Sequence, residues 1–171
     1  MPTADSPQFD KTLAAVCGLF CPSCAMYIGS TVDPARLERM AAERGMAVED
    51  LQCRGCRSDK RIAYCATCFM YRCASDKGVD FCGACDEYPC QELRDFQAKM
   101  PHRLDLWQAQ ERIRAAGWET WFEEMLARYG CPECGAINSA YDAICYVCGH
   151  KPSCAYVAEH GKKVAAFLAT R

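Results

Sequence analysis

Residues 53–90 read CRGCRSDKRIAYCATCFMYRCASDKGVDFCGACDEYPC and contain eight cysteines. Six of them form three pairs with two residues in between: Cys53 and Cys56, Cys65 and Cys68, and Cys82 and Cys85. Two intervening residues let a tight turn point both sulfurs at one ion about 2.3 Å away, the Zn–S distance of a tetrahedral site. The stretch therefore predicts a fold that is held by metal ions more than by a hydrophobic core alone.

Whether the cysteines form disulfides or bind metal depends on the redox compartment of the protein. Sixteen of the 171 residues are cysteine, a content typical of disulfide or metal scaffolds. The first twelve residues carry no basic cluster ahead of the apolar run from Leu13, so they do not resemble a signal peptide. We therefore expect a soluble, cytoplasmic protein whose thiols stay reduced and available as ligands, with a disulfide framework as the alternative.

Charge and hydropathy limit the classes of partner. The chain has 20 basic and 22 acidic residues and a net charge of −2, which gives no electrostatic footprint for nucleic acid. The apolar run over 13–28 is interrupted by glycine and proline and is too short to span a membrane. Protein partners are therefore expected, nucleic acid and membrane are not, and the oligomeric state is left open.

Helix signals place short helices between the cysteine pairs. Asp33 followed by Pro34 is a typical helix start, and Gly45 is a typical stop. Further helices are expected within 65–77 and from Cys90 to about residue 99. The fold class is therefore predicted to be mostly α, small and metal-stabilised.

Two longer amphipathic helices are predicted from Leu106 onward. The first ends at Gly117 and the second at Gly130, because apolar residues recur at helical spacing up to each glycine. The second helix carries an apolar stripe: Trp118, Trp121, Phe122, Met125, Leu126 and Tyr129. A stripe with this period is typical of hydrophobic core rather than of a ligand platform.

Composition shifts sharply at Gly130, so we place a domain boundary there. Residues 1–130 would form a cysteine-rich helical metal-binding domain, and residues 131–171 a zinc ribbon followed by a C-terminal helix over 154–169. Ser153 can cap that helix. Its apolar side is predicted to consist of Val157, Val164, Phe167 and Leu168.

Two C-x-x-C-G elements lie ten residues apart after the boundary. They supply four thiolates: Cys131, Cys134, Cys145 and Cys148. The arrangement resembles a zinc ribbon, and its knuckles are also similar to those of rubredoxins, so the donor set alone leaves zinc and iron open. We expect zinc, because closed four-cysteine sites are most often structural zinc. His150 is expected to be a bystander, since four cysteines already fill the site.

Eleven cysteines lie before this module. Four pairs would fill two tetrahedral sites: Cys21, Cys24, Cys53, Cys56, Cys65, Cys68, Cys82 and Cys85. The remaining Cys17, Cys73 and Cys90 are either small buried residues or ligands of a third site or of a cluster that bridges metals. Spacing alone does not fix which pairs share an ion, and the role of Cys154 is also open.

Motifs for catalysis are scarce. Cys17, Cys21 and Cys24 match the three-cysteine signature of radical S-adenosylmethionine enzymes, but no barrel domain of adequate length follows. None of the three histidines opens an H-x-E or H-E-x-x-H motif. A catalytic zinc usually includes histidine or carboxylate and keeps one position open. We therefore predict no catalytic residues. Thiol–disulfide chemistry at a C-x-x-C pair is the less favoured hypothesis.

Four segments, taken together, resemble an uncharacterised cysteine-rich family of bacterial and archaeal proteins, known as a domain of unknown function. They are C-G-L-F-C-P-S-C at 17–24, C-R-G-C-R-S-D at 53–59, C-A-S-D-K-G-V-D-F-C-G-A-C at 73–85 and E-Y-P-C at 87–90. The resemblance covers about Leu13 to Phe96 and implies a small cytoplasmic metal-binding domain. It implies no reaction, substrate or catalytic residue.

The favoured hypothesis is a non-enzymatic, zinc-binding protein that acts as a binding or regulatory module with structural four-cysteine sites. An iron–sulfur or redox protein that uses the N-terminal cysteines is the alternative, because all-cysteine coordination suits such clusters. A metal sensor or storage protein is the second alternative.

Overall fold

Short helices linked by cysteine-bearing turns build the protein in this computed structural model, which describes residues 9–170. The α-helices are Ala25–Thr31 (α1), Pro34–Arg44 (α2), Val48–Leu51 (α3), Ala63–Ala66 (α4), Phe69–Asp76 (α5), Gln91–Ala98 (α6), Leu106–Ala116 (α7), Trp118–Tyr129 (α8) and Ala155–Leu168 (α9). Single 3-10 turns form at Lys11–Leu13, Cys21–Ser23 and Cys82–Ala84. No strand forms within residues 9–170, so the predicted mostly α fold class is confirmed.

The helix ends follow the local sequence. The carboxylate of Asp33 accepts a hydrogen bond from the backbone N–H of Arg36 and caps α2. Gly45 ends the same helix in the left-handed region, with φ of +61°, where a residue with a Cβ would be strained. Gly117 similarly separates α7 from α8.

The aromatic stripe of α8 is core, as predicted. Phe20, from the first cysteine-rich turn, packs edge-on against Phe122 at 5.0 Å between ring centroids and stacks on Tyr129 at 5.8 Å. Tyr129 in turn stacks on Tyr156 of α9 at 4.9 Å. This row of rings joins the N-terminal turn, α8 and the last helix in one hydrophobic cluster, so apolar packing continues across Gly130. The domain boundary at that glycine stays a prediction.

The last helix differs from its prediction in two ways. Cys154, and not Ser153, occupies the N-cap position, and no side chain caps the helix there. The buried residues are Tyr156, His160 and Val164, whereas Leu168 is 49% exposed. Positions four apart share a helix face. On this face, Tyr156 stacks on Tyr129, and Nε2 of His160 lies 2.8 Å from Oδ1 of Asp105. Val164 is therefore buried as predicted, but Tyr156 and His160 share its face in place of Leu168, because they contact Tyr129 and Asp105.

A buried glutamine positions the cysteine-rich turns against α7. Gln110 is fully buried; its Nε2 donates to the carbonyl of Val16 at 3.1 Å, and its Oε1 accepts from the N–H of Gly83 at 2.6 Å. A Cβ at residue 83 would lie 2.6 Å from this Oε1 atom, so glycine is required for the close approach. One side chain thus holds the turns that carry Cys17 and Cys82.

Within residues 9–170, no helix is both long enough and apolar enough to cross a membrane.

Candidate metal centres

The four cysteines of the C-terminal module converge on one point. The sulfurs of Cys131, Cys134, Cys145 and Cys148 all lie within 4.8 Å of one another. Sγ of Cys131 lies 3.5 Å from Sγ of Cys148, and Sγ of Cys134 lies 3.7 Å from Sγ of Cys145. Four sulfurs bound to one ion at about 2.3 Å would be about 3.8 Å apart in a tetrahedron. The donor set and its spacing therefore fit a single tetrahedral ion.

Both knuckles have the same backbone hydrogen bonds. The N–H of Gly135 donates to the carbonyl of Cys131, and the N–H of Gly149 donates to that of Cys145, each at 2.9 Å. Both glycines are left-handed, with φ of +75° and +77°. In addition, Cys131 and Cys145 donate their N–H groups to the carbonyls five residues later. The module is thus built from two equivalent turns, each of which presents two sulfurs.

Hydrogen-bond donors face the sulfur of Cys145. Burial favours the neutral thiol, but the backbone N–H groups of Cys148 and Val147 and the side-chain amide of Asn138 favour the thiolate, and together they lower the pKa of Cys145 to about 7. Donors to a charged sulfur stabilise it. Cys131 and Cys145 are buried, whereas Cys134 and Cys148 are exposed. An ion would therefore enter the site from solvent past Cys134 and Cys148.

Asn138 is a supporting residue that the sequence motifs did not reveal. It is fully buried, and its Nδ2 atom donates to the carbonyl of Ala136 at 2.8 Å and to Sγ of Cys145 at 3.6 Å. Its Oδ1 atom accepts from the N–H of Tyr146 at 3.4 Å. The side chain therefore links the loop after the first knuckle to the second knuckle. The only sequence signal was a polar residue between two knuckles, which is also common in exposed loops.

An arginine ties the module to the N-terminal half. Nη1 of Arg36, on α2, lies 3.0 Å from Oδ2 of Asp142, and its Nε lies 3.1 Å from Oδ2 of Asp33. The guanidinium also covers the ring of Tyr146 at 4.8 Å. Asp142 accepts from the N–H of Ser139. The loop between the two knuckles is thereby fixed from outside by a residue that sequence reasoning did not single out.

Three of the predicted N-terminal pairs come together. Sγ of Cys21 accepts from the N–H of Cys56, and Cys24 accepts from two N–H groups at the start of α1. Burial, and then the neighbouring thiols of Cys53, Cys24 and Cys56, raise the pKa of Cys65 to about 12. The knuckles at 21–24, 53–56 and 65–68 are therefore neighbours, and their role as metal ligands stays a prediction.

The fourth pair lies with other cysteines. Cys82 and Cys85 face Cys73 and Cys90 across a cavity, so two of the three cysteines that were left over in the sequence join this pair. Cys17 is buried beside Cys56 and Cys82. All sixteen cysteines, including the buried Cys154, are free thiols in the structure.

Comparison with known proteins finds a family that the N-terminal part resembles. Residues 13–95, the DUF3795 segment, match the model of a family described as protein of unknown function, DUF3795. The match covers just under half of the chain. The resemblance predicted over about Leu13 to Phe96 is thereby confirmed. No curated protein and no solved structure shows significant similarity to the chain.

The limits of the DUF3795 segment divide the cysteines into two sets. All eleven N-terminal cysteines lie within residues 13–95, whereas the four converging sulfurs of the C-terminal module lie outside them. Gln110, which holds two turns of the DUF3795 segment, also lies outside. The family match therefore covers the eleven N-terminal cysteines and does not extend to the four converging sulfurs of the C-terminal module.

We expect Asn138→Leu to weaken metal binding at the C-terminal module about 10–100-fold, the usual effect of removing a residue that supports a metal ligand. The change removes the amide donor to Sγ of Cys145 without removing a thiolate. Competition with a chromophoric chelator measures the affinity. Glu133→Gln, at an exposed position of the first knuckle, is the control and should bind as the unaltered protein does. Equal affinity in all three proteins would show that Asn138 does not support the site.

Proposed function

We propose that the protein is a zinc-binding, non-enzymatic module in which the four C-terminal thiolates hold a structural Zn²⁺. The observation that carries this proposal is the convergence of Cys131, Cys134, Cys145 and Cys148 within 4.8 Å. Four thiolates complete a tetrahedral shell and leave no open position for a substrate or a reactive water. Such a closed site contributes to folding, since the free energy of metal binding is also free energy of folding.

The surroundings of the site favour a role in binding protein partners. Ile144 and Val147 flank Cys145 and are 50% and 61% exposed. The ion would fix the turn that displays both side chains. In the chain, His150 and Lys151 are the basic residues next to the second knuckle, and the nearby Arg36 is paired with Asp33 and Asp142. A polyanion such as nucleic acid therefore finds little unpaired positive charge there. We propose a cytoplasmic location as well, because reduced thiols persist in that compartment.

Metal analysis of variants tests the zinc proposal. Protein purified without added metal is expected to lose one zinc ion per chain when Cys134 is replaced by serine, because three thiolates and one hydroxyl hold zinc far more weakly. Cys154→Ser is the matched control, since this cysteine is buried outside the four-sulfur group. It should keep the full zinc content. Equal zinc in the Cys134→Ser variant and in the unaltered protein would refute the proposed site.

A further inference from the structure

A cavity of about 290 Å³ lies in the DUF3795 segment and is surrounded by sulfur. Four cysteines line it. Cys73 lies on α5, Cys82 begins the 3-10 turn, Cys85 follows that turn and Cys90 directly precedes α6. A single buried water needs only about 10–15 Å³ of such space. The cavity is therefore large enough for a group of several atoms.

The four thiols line one cavity but do not converge on one point. Among residues 9–170, the sulfurs that gather within 4.8 Å of one another are those of the C-terminal module, and no three of Cys73, Cys82, Cys85 and Cys90 meet that condition. One tetrahedral ion requires sulfurs about 3.8 Å apart. A polynuclear cluster needs its cysteine ligands around a space rather than at one point, because inorganic sulfide and several metal ions stand between them. Four cysteines that line one cavity without converging are compatible with that requirement.

The remaining walls suit a charged metal–sulfur group. Apolar side chains from α5 and α6 form one side: Met70, Ala74 and Leu93. Nζ of Lys77 lies 3.6 Å from Sγ of Cys85 and 2.7 Å from Oε1 of Glu87. A cation beside a ligating sulfur offsets the negative charge of four thiolates. Hydrogen bonds to ligand sulfur also tune the reduction potential of an iron–sulfur centre.

We propose that Cys73, Cys82, Cys85 and Cys90 hold an iron–sulfur cluster of the four-iron type in this cavity. The site is separate from the C-terminal zinc site and shares no ligand with it. It also gives a role to Cys73 and Cys90, which C-x-x-C spacing leaves unassigned. The three knuckles at 21–24, 53–56 and 65–68 are not part of this cluster.

Anaerobic purification of the full chain, followed by iron and acid-labile sulfide analysis, tests the proposal. The result expected is a brown protein with about four iron and four sulfide per chain, as purified or after reconstitution with ferrous iron and sulfide. Its visible absorbance should bleach on addition of dithionite. A colourless protein with less than about one iron per chain after reconstitution, or with zinc bound by these four cysteines instead, would overturn the proposal.

Two variants locate the cluster. Cys85→Ser should lower iron and sulfide to near zero and keep the zinc ion of the C-terminal module, which also shows that the variant is folded. Cys134→Ser is the reciprocal control and should keep iron and lose that zinc. If Cys85→Ser destabilises the chain, Lys77→Met provides a second test, since it keeps all ligands and should shift the reduction potential of the cluster. Retention of the full iron content in Cys85→Ser would place the cluster elsewhere and overturn the assignment.

Discussion

Replacing Cys145 with serine is expected to unfold the two knuckles of the segment 131–150. Cys145 is 2% exposed, and its sulfur is one of the four that converge. Structural zinc contributes about 10–16 kcal/mol to folding in zinc-finger peptides, and loss of one thiolate removes most of that contribution. The buried cluster around the sulfurs includes only Ala136 as a further residue. Ala140 in the main core and the Arg36–Asp142 ion pair would still hold the loop between the knuckles, but the two knuckles themselves depend chiefly on the ion. Hydrogen exchange should show loss of protection in both knuckles.

The rest of the chain is expected to stay folded in this variant. Tyr156 of α9 is fully buried against Tyr129, so α9 should remain bound to α8. Cys154→Ser is the control and should keep protection over 131–150. A chelator of high affinity should have the same effect on the unaltered protein as the Cys145→Ser change. Unchanged protection in Cys145→Ser, or in the chelated protein, would show that no ion stabilises the module.

Replacing Gln110 with methionine is expected to have the second large effect. Methionine has a similar shape, but it leaves the N–H of Gly83 and the carbonyl of Val16 without the partners that Gln110 provides. The Val16 carbonyl keeps the N–H of Cys82 as a donor, so the N–H of Gly83 is the group left without a partner. A buried polar group that loses its partner costs about 1–3 kcal/mol, and the free energy of unfolding should fall by about that amount. Urea denaturation monitored by tryptophan fluorescence and circular dichroism measures the change.

Gln108→Met is the matched control for this prediction. Gln108 lies on the same helix two residues earlier and is exposed, so its replacement tests the helix propensity of methionine without removing a buried hydrogen bond. Its free energy of unfolding should lie within about 0.5 kcal/mol of the unaltered value. If the two variants are equally stable, Gln110 does not hold the cysteine-rich turns.

The helices and the convergence of the four C-terminal cysteines could be predicted because their causes are local. Apolar spacing of three and four residues, ended by glycine, predicted α7 and α8. Asp33, Pro34 and Gly45 predicted the ends of α2. Each C-x-x-C-G turn is likewise set by its own backbone hydrogen bonds, and two such turns near each other in the chain meet readily.

The supporting contacts could not be predicted because they join distant parts of the chain. Gln110 looked like a surface residue of an amphipathic helix, yet it is buried against a turn 27 residues earlier. Arg36 pairs with Asp142, 106 residues away. Opposite charges and amide groups are common at helix surfaces, so nothing local distinguishes these residues. The burial of Val164 on α9 was predicted correctly. The burial of Tyr156 and His160 was missed, since their partners Tyr129 and Asp105 lie on other parts of the chain.

The grouping of the N-terminal cysteines also depends on tertiary structure. Spacing groups Cys82 with Cys85, but only the packing of α5 and α6 brings Cys73 and Cys90 to the same cavity. Pairing by C-x-x-C motifs therefore identifies ligand candidates without identifying the sites to which they belong.

Zinc K-edge X-ray absorption on protein purified without added metal tests most directly the claim that reduced cysteine sulfurs hold a structural ion. We expect bound zinc whose nearest shell contains four sulfurs at about 2.3 Å. The Cys134→Ser variant should lack the zinc ion of the C-terminal module. A shell that contains nitrogen or oxygen, or a folded protein without bound metal, would contradict it.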